Sequence, residues 1–181
     1  MSYKNENMKM IELHENGLDI QFRIRENGVV ELADFSSQEV KKAVMEPKDD
    51  ICYPAVEIHR SGTGSLNMHA YKNNINQSSV DFVYENHELK AQAGGKELEI
   101  VMISPEKLKA VYHMRLFDGV PAVQTWTEII NEGSEDQGLT YVSSFMYQGI
   151  SRGGEKPYYK KTDIYVPFNS WCCEAQWQKY D

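Results

Sequence analysis

From Leu108 to Leu116 the chain changes character at every second position. Leu108, Ala110, Tyr112, Met114 and Leu116 are apolar, and Lys107, Lys109, His113 and Arg115 fill most of the other set. A period of two belongs to a strand with one face on a core. Phe117-Asp118-Gly119-Val120-Pro121 then supplies residues for a reversal, and Ala122 to Ile130 is rich in β-branched and aromatic side chains, which predicts a second strand. Either Val123, Thr125, Thr127 and Ile129 or Ala122, Trp126 and Ile130 can face inward, and the Trp126 and Ile130 set, with the larger apolar area, is the expected core face. After the polar Asn131-Glu132-Gly133, Leu139 to Phe145 alternates again as a third strand. The three are expected to form interior strands of one antiparallel sheet.

The same alternation recurs upstream. Leu18, Ile20, Phe22 and Ile24 alternate with Asp19, Gln21, Arg23 and Arg25, between Asn16-Gly17 and Asn27-Gly28, both of which suit a type I′ reversal. Val29 to Phe35 returns as a partner. Ser36 three residues before Glu39 has the spacing of a capping box, and with Val40, Ala43 and Val44 on one face it predicts a helical turn. Ala55 to His59 reads as a strand. So do Leu66 to Tyr71, Val80 to Glu85, Glu88 to Ala93 and the run carrying Leu98, Ile100 and Met102, which follows a Gly94-Gly95 turn. Ser61 to Ser65 is glycine-rich but lacks a Lys-Ser/Thr ending, so it reads as a loop and not a phosphate cradle. Gly149 to Pro157 is a polar loop, and Thr162 to Phe168 a short final strand. About a dozen strands at such spacings, with few or no helices, predict an all-β antiparallel sandwich.

Length and charge change the picture only by exclusion. A chain of 181 residues is expected to fold as a single domain, residues 1–181. A formal net charge of −8 disfavours nucleic acid or an anionic membrane as partner. No apolar run is long enough for a spanning helix, and Met1 to Asn7 lacks the apolar core of a signal peptide, which makes a cytoplasmic location the expectation. The three cysteines, two of them the adjacent Cys172 and Cys173, form no CxxC pattern and are expected as free thiols. No metal or cofactor is expected.

Candidate chemistry is sparse. The five histidines, His14, His59, His69, His87 and His113, form no metal-binding pair at helical spacing. His59 and His69, brought together near Glu57 on neighbouring strands, would make an acid/base cluster, although solvated or singly hydrogen-bonded histidines are the simpler reading. No Gly-x-Ser-x-Gly elbow exists. Asp118, Glu128 and Glu132 lie near the central hairpin, where charges at turns and on a solvent face account for them.

The stretch Asn169 to Trp177 differs in kind, setting Trp171 and Trp177 beside Glu174, Asn169 and Gln176. Aromatic rings flanked by hydrogen-bonding groups suit a sugar or a protein contact. Taken with Leu116-Phe117-Asp118 and the Thr127 to Gly133 strand and turn, the order Asn169-Ser170-Trp171 followed by Glu174 resembles the N-terminal domain of the family-36 α-galactosidases, melibiase-like glycoside hydrolases. The resemblance implies a galactose-mutarotase-like β-supersandwich placed ahead of a catalytic (β/α)₈ barrel of on the order of 250 residues. It further implies that this chain is the N-terminal part of a longer hydrolase of carbohydrate metabolism. Such a domain packs on the barrel of its own polypeptide, assembles subunits into a homo-oligomer and rims a galactoside pocket. Asn169, Trp171, Glu174 and Trp177 are then the candidate carbohydrate or interdomain contacts. The chain departs from the family around Cys52-Tyr53-Pro54 and at Gln124-Thr125-Trp126, and no catalytic residue carries over. The alternative is a free-standing mutarotase-like sugar-binding or epimerising protein using His59, His69 and Glu57.

Overall fold

The computed structural model describes residues 9–37, 53–64, 76–147 and 163–180. It is an all-β protein of antiparallel sheets. Two compact units are distinguished, one of Met1–Val40 with Glu46–Gln148, the other of Lys41–Met45 with Gly149–Asp181.

The first unit begins with a three-stranded sheet, β1 (Lys9–Glu15), β2 (Leu18–Ile24) and β3 (Val30–Ser37). Asn16 and Gly17 both take positive φ, 52° and 83°, as a two-residue type I′ turn requires. The second reversal differs from expectation, because only Gly28 has positive φ there. Gly28 N donates to Arg25 O at 2.8 Å and Arg25 N to Val29 O at 2.9 Å, which closes a longer loop. Asn27 instead uses its side chain, whose Oδ1 accepts from Val29 N. Ser36 is not a helix cap but a residue of β3 opposite Asp19, since β2 pairing continues to Ser37. Val40, Ala43 and Val44 lie outside the described residues, as do Leu66 to Tyr71 and Gly149 to Pro157.

The second sheet follows the chain in order: β4 (Ile58–Arg60) stands apart, and β5 (Val83–Gln92), β6 (Gly95–Ile103), β7 (Leu108–Phe117) and β8 (Val120–Asn131) form a four-stranded meander. Glu88 to Gln92 belongs to β5 and is not a separate strand, and Ala93 begins the turn to β6. Val80 closes a one-turn helix, α1 (Gln77–Val80), capped by Asn76, so the expected strand there starts only at Val83. β9 (Leu139–Val142) leaves the meander and pairs with β4, which makes β8 an edge of the four-stranded sheet and leaves β7 interior.

The two larger sheets face each other across one core. Ile11, Leu13, Leu18, Ile20 and Phe22 from the first meet Leu98, Ile100, Leu108, Tyr112, Met114 and Leu116 from the second, and the Phe22 and Tyr112 rings meet edge to face at 5.7 Å. Their alternation supplies the apolar faces whose burial drives the packing. Val123 and Ile129 of β8 join this core. The expected Trp126 and Ile130 face is therefore overturned: Trp126 pairs with His113 across β7 and β8 and stacks on its ring, centroids 4.7 Å apart, on the opposite side of the sheet.

Tyr112 supplies a prediction. Burial pushes its phenol above the ordinary value of 10.0, and the hydrogen bond with Thr125 opposes this only in part. Below about pH 10 the ring is neutral in folded and unfolded chains alike, so its contribution is fully present. Above that the unfolded chain ionises first, and stability falls by up to about 1.4 kcal/mol per pH unit. Urea melts between about pH 9 and 11 should show this slope in the wild type and lose it in Tyr112→Phe. Equal slopes would rule out Tyr112 as its source.

The second unit is a hairpin of β10 (Ile164–Ser170) and β11 (Cys173–Tyr180). The strand expected to be final is therefore followed by another. Cys172 sits at the turn with φ 62°, and a register shift separates Phe168 from Ser170.

Candidate functional site

The tryptophan-rich stretch spans the turn and second strand of this hairpin. Trp171 is 94 % exposed at the turn, and Trp177, opposite Pro167, is 65 % exposed. Glu174 is exposed as well. Asn169 is committed to the backbone, its Oδ1 accepting from Ala175 N at 2.6 Å, which holds Ala175 at φ 51°. Of the four sequence candidates, Asn169 thus shapes the hairpin while Trp171, Trp177 and Glu174 are presented outward. Ile164, Tyr165, Phe168 and Tyr180 extend the exposed apolar surface, and Cys172 is an exposed free thiol.

The second candidate is built on β4 in the first unit. Its backbone is satisfied from two sides. β9 pairs on one side, with Ser143 N donating to Glu57 O and Glu57 N to Ser143 Oγ, both at 2.8 Å. On the other, where a further strand would lie, the serines of α1 take over: Ile58 N donates to Ser79 Oγ at 2.8 Å and Arg60 N to Ser78 Oγ at 3.2 Å. Hydroxyls replace a ladder here because each can both accept and donate, and Ser78 and Ser79 also donate to Ile58 O.

Glu57 and His59, two residues apart, project to the same side of this segment, and Glu57 Oε1 accepts from His59 Nε2 at 3.1 Å. The same oxygen accepts from Asn76 N at 2.6 Å. Glu57 Oε2 is buried with no hydrogen-bond partner among the described residues. Glu57, His59, Thr140, Tyr141, Ser143, Phe145 and Met146 line a half-open pocket of about 580 Å³. The His59 ring lies 5.1 Å from that of Tyr141. Arg60, next along β4, is directed elsewhere, to Asp81 at 3.0 Å and Glu106 at 2.6 Å. Burial pushes the Glu106 carboxyl up, but hydrogen bonds from its own backbone, Ser104 and Arg60 outweigh this and hold it below its ordinary value. His69, expected beside His59, lies outside the described residues.

A third group occupies the outer face of the four-stranded sheet. Glu97 and Glu99 of β6 approach His113 Nδ1 at 2.9 and 3.9 Å, and Glu128 of β8 approaches Nε2 at 3.8 Å. One ligand atom each from Glu97, Glu99 and His113 falls within 4.8 Å of the others, a spacing a metal ion could bridge. Glu132, also at the hairpin base, pairs with Lys109. Asp118 N donates to Gly94 O, so its backbone serves the turn.

The spacing of Glu57 and His59 was legible as a same-face pair on a strand, whereas Asn76, Tyr141 and Ser143 carried no signal of their own, being distant in sequence and ordinary in type. No helix among the described residues is long and apolar enough to cross a membrane. No protein-family model and no curated protein matches the chain.

Proposed function

We propose that this chain is the non-catalytic N-terminal β-sandwich of an α-galactosidase-like glycoside hydrolase, whose β10–β11 hairpin docks on the catalytic barrel of the same polypeptide. One observation carries the reading. A two-stranded hairpin is marginal alone in water, yet this one presents Trp171 and Trp177 outward together with four further large apolar side chains. By register these side chains lie on both faces of the hairpin, Tyr165 and Trp177 on one and Ile164, Phe168 and Tyr180 on the other; large exposed apolar side chains of that kind mark an interface, and tryptophans dominate the energetics of such contacts. The antiparallel sandwich and the Asn169 to Glu174 arrangement agree with the family resemblance. Hydrolysis belongs to the barrel in this reading, so this chain alone turns over no galactoside.

Fluorescence and binding test it together. Trp171 and Trp177 should emit as water-exposed, quenchable indoles. Adding a separately folded barrel from an α-galactosidase of this family should shift their emission to the blue. Trp171→Ala and Trp177→Ala should each weaken the association by about 2 kcal/mol or more, roughly thirtyfold. Protected emission from the free chain, absence of association, or galactoside hydrolysis abolished by replacing one of this chain's own carboxylates would each defeat the proposal.

A further inference from the structure

We infer that Glu97, Glu99 and His113 form a binding site for one divalent cation of the zinc class, which bridges β6 and β7 on the outer face of the four-stranded sheet, with Glu128 of β8 orienting the imidazole. Register builds the group. Glu97 and Glu99, two residues apart on β6, share a face, and His113 of β7 is directly opposite Glu99. Glu128 is opposite Val111, two residues before His113 and on the same face. One ligand atom from each of Glu97, Glu99 and His113 lies within 4.8 Å of the others. Around an ion bound at about 2.0–2.2 Å, neighbouring nitrogen and oxygen ligands stand roughly 3.0–3.4 Å apart. Glu97 Oε1, 2.9 Å from His113 Nδ1, is close to that spacing already. Glu99 Oε1, at 3.9 Å, has to close by about 0.5–0.9 Å. Lys90 does not compete for that atom, because it holds the other oxygen of Glu99, Oε2. Arg115, opposite Glu97, donates to Ala93 O and lies over the Phe117 ring.

The other nitrogen of the imidazole points to the same ligand. His113 is 8 % exposed, and its Nε2 is buried with no hydrogen-bond partner among the described residues. An orphaned buried atom of this kind calls for an explanation. Carboxylates only accept, so Glu97 and Glu99 require Nδ1 to offer them either a proton or a cation. With a proton there, a neutral His113 leaves a bare acceptor at Nε2, and Glu128 Oε2, which approaches it at 3.8 Å, is an acceptor too. With a cation on Nδ1 the ring proton sits on Nε2, and Glu128, whose side chain is 57 % exposed, can turn in to accept it. Metal-bound imidazoles are held in this way, by a carboxylate on the second nitrogen. The imidazole favours zinc-class ions over magnesium or calcium, and three carboxylates against the single charge of Lys90 favour a divalent one. Glu99 is the more open of the two ligating carboxylates, so the ion enters past it from the outer face and keeps a fourth position for water. Binding to the folded chain alone, it fastens β6 to β7 and, through Glu128, the edge strand β8. The site is independent of the hairpin and of the carbohydrate reading.

Trp126, stacked on the His113 ring with centroids 4.7 Å apart, reports on the site. In the full chain carrying Trp171→Phe and Trp177→Phe it is the single tryptophan. Titrated Co²⁺ should quench its emission to saturation at one ion per chain. Zn²⁺ should displace the Co²⁺, while Mg²⁺ or Ca²⁺ at the same concentration should not, and Zn²⁺ should raise the urea midpoint. Glu97→Gln removes a charged ligand and should weaken Co²⁺ binding at least about tenfold. Glu128→Ala, at an exposed position, should weaken it about tenfold and decides the matter should Glu97→Gln fail to fold. Cys172→Ser should leave the affinity unchanged. Absence of saturable quenching, quenching indifferent to both carboxylate variants, or quenching lost in Cys172→Ser overturns the inference. Weakening by Glu97→Gln alone overturns the role of Glu128, and displacement by Mg²⁺ or Ca²⁺ as effective as by Zn²⁺ overturns the class of ion.

Discussion

Gly95→Ala is expected to destabilise the four-stranded sheet by about 3 kcal/mol, the upper end of the usual cost of overpacking. Gly95 opens β6 opposite Phe117, and a Cβ at this position would stand 1.9 Å from Leu116 O and 3.0 Å from Leu116 C. Both are backbone atoms of the central strand, so no rotamer change relieves the clash. The ladder between β6 and β7 must move apart at its first pairs, and Asp118 N would be drawn from Gly94 O, where it now donates at 3.0 Å. The neighbouring glycine is the control. Gly94 has φ 75°, but a Cβ there would meet nothing within 4 Å, so Gly94→Ala should cost only the strain of a left-handed residue, about 1–2 kcal/mol. Denaturant melts of the two variants, read as midpoint shifts at constant slope, measure the difference. Equal costs would mean that the β6–β7 ladder does not hold its pairing at this end.

The strands that turned out as read are those in which residue type and register agree. In β6 and β7 the two-residue period assigns Leu98, Ile100 and Met102, and Tyr112, Met114 and Leu116, to one side, and all six are buried there. β8 goes the other way because register, and not apolar area, decides which face turns inward. The reversal at Asp118-Gly119 sets Phe117 opposite Val120. A two-residue loop there puts even-numbered residues of β7 across from odd-numbered residues of β8. Val123 therefore had to share a face with Leu116, and Trp126 with His113, bulge included, since the register shift between Leu116 and Phe117 preserves parity. Trp126 finds cover by stacking on His113 and not by entering the core.

The pairing of β9 with β4 instead of the meander had no such signal. Two short strands far apart in sequence are joined with help from Ser143 and Thr140, while the serines of α1 satisfy the other side of β4, and hydroxyl contacts of this kind leave no periodic trace. Glu57 and His59 were readable as neighbours on one face. The hydrogen bond that Glu57 Oε1 accepts from Asn76 N was not, because Asn76 arrives from a separate segment.

Glu31→Ala is the other substitution expected to cost most, about 3–5 kcal/mol, the range found when one partner of a buried ion pair is removed. Glu31 lies in β3 directly opposite Arg23 of β2. Its Oε2 is 3.6 Å from Arg23 Nη1 and its Oε1 3.1 Å from Arg25 Nη1, with the Glu31 and Arg23 side chains 7 % and 5 % exposed. Oε1 also accepts from Tyr53 N at 2.9 Å, fastening the segment that leads to Ala55 and β4. Truncation withdraws the carboxylate from two guanidinium groups and an acceptor from one backbone N–H, in surroundings that water does not readily enter. Glu31→Gln keeps an oxygen for Tyr53 and loses only the charge, so it should fall between wild type and Glu31→Ala. Since the charges are buried, salt should screen their attraction little, and the loss should persist in concentrated sodium chloride. The exposed pair of Lys109 with Glu132 supplies the contrast, and Lys109→Ala should leave the midpoint near that of the wild type. Urea melts of Glu31→Ala, Glu31→Gln and Lys109→Ala at low and high salt separate these cases. A Glu31→Ala protein as stable as Lys109→Ala would mean that the Arg23, Arg25 and Glu31 cluster is not what joins β2, β3 and the approach to β4.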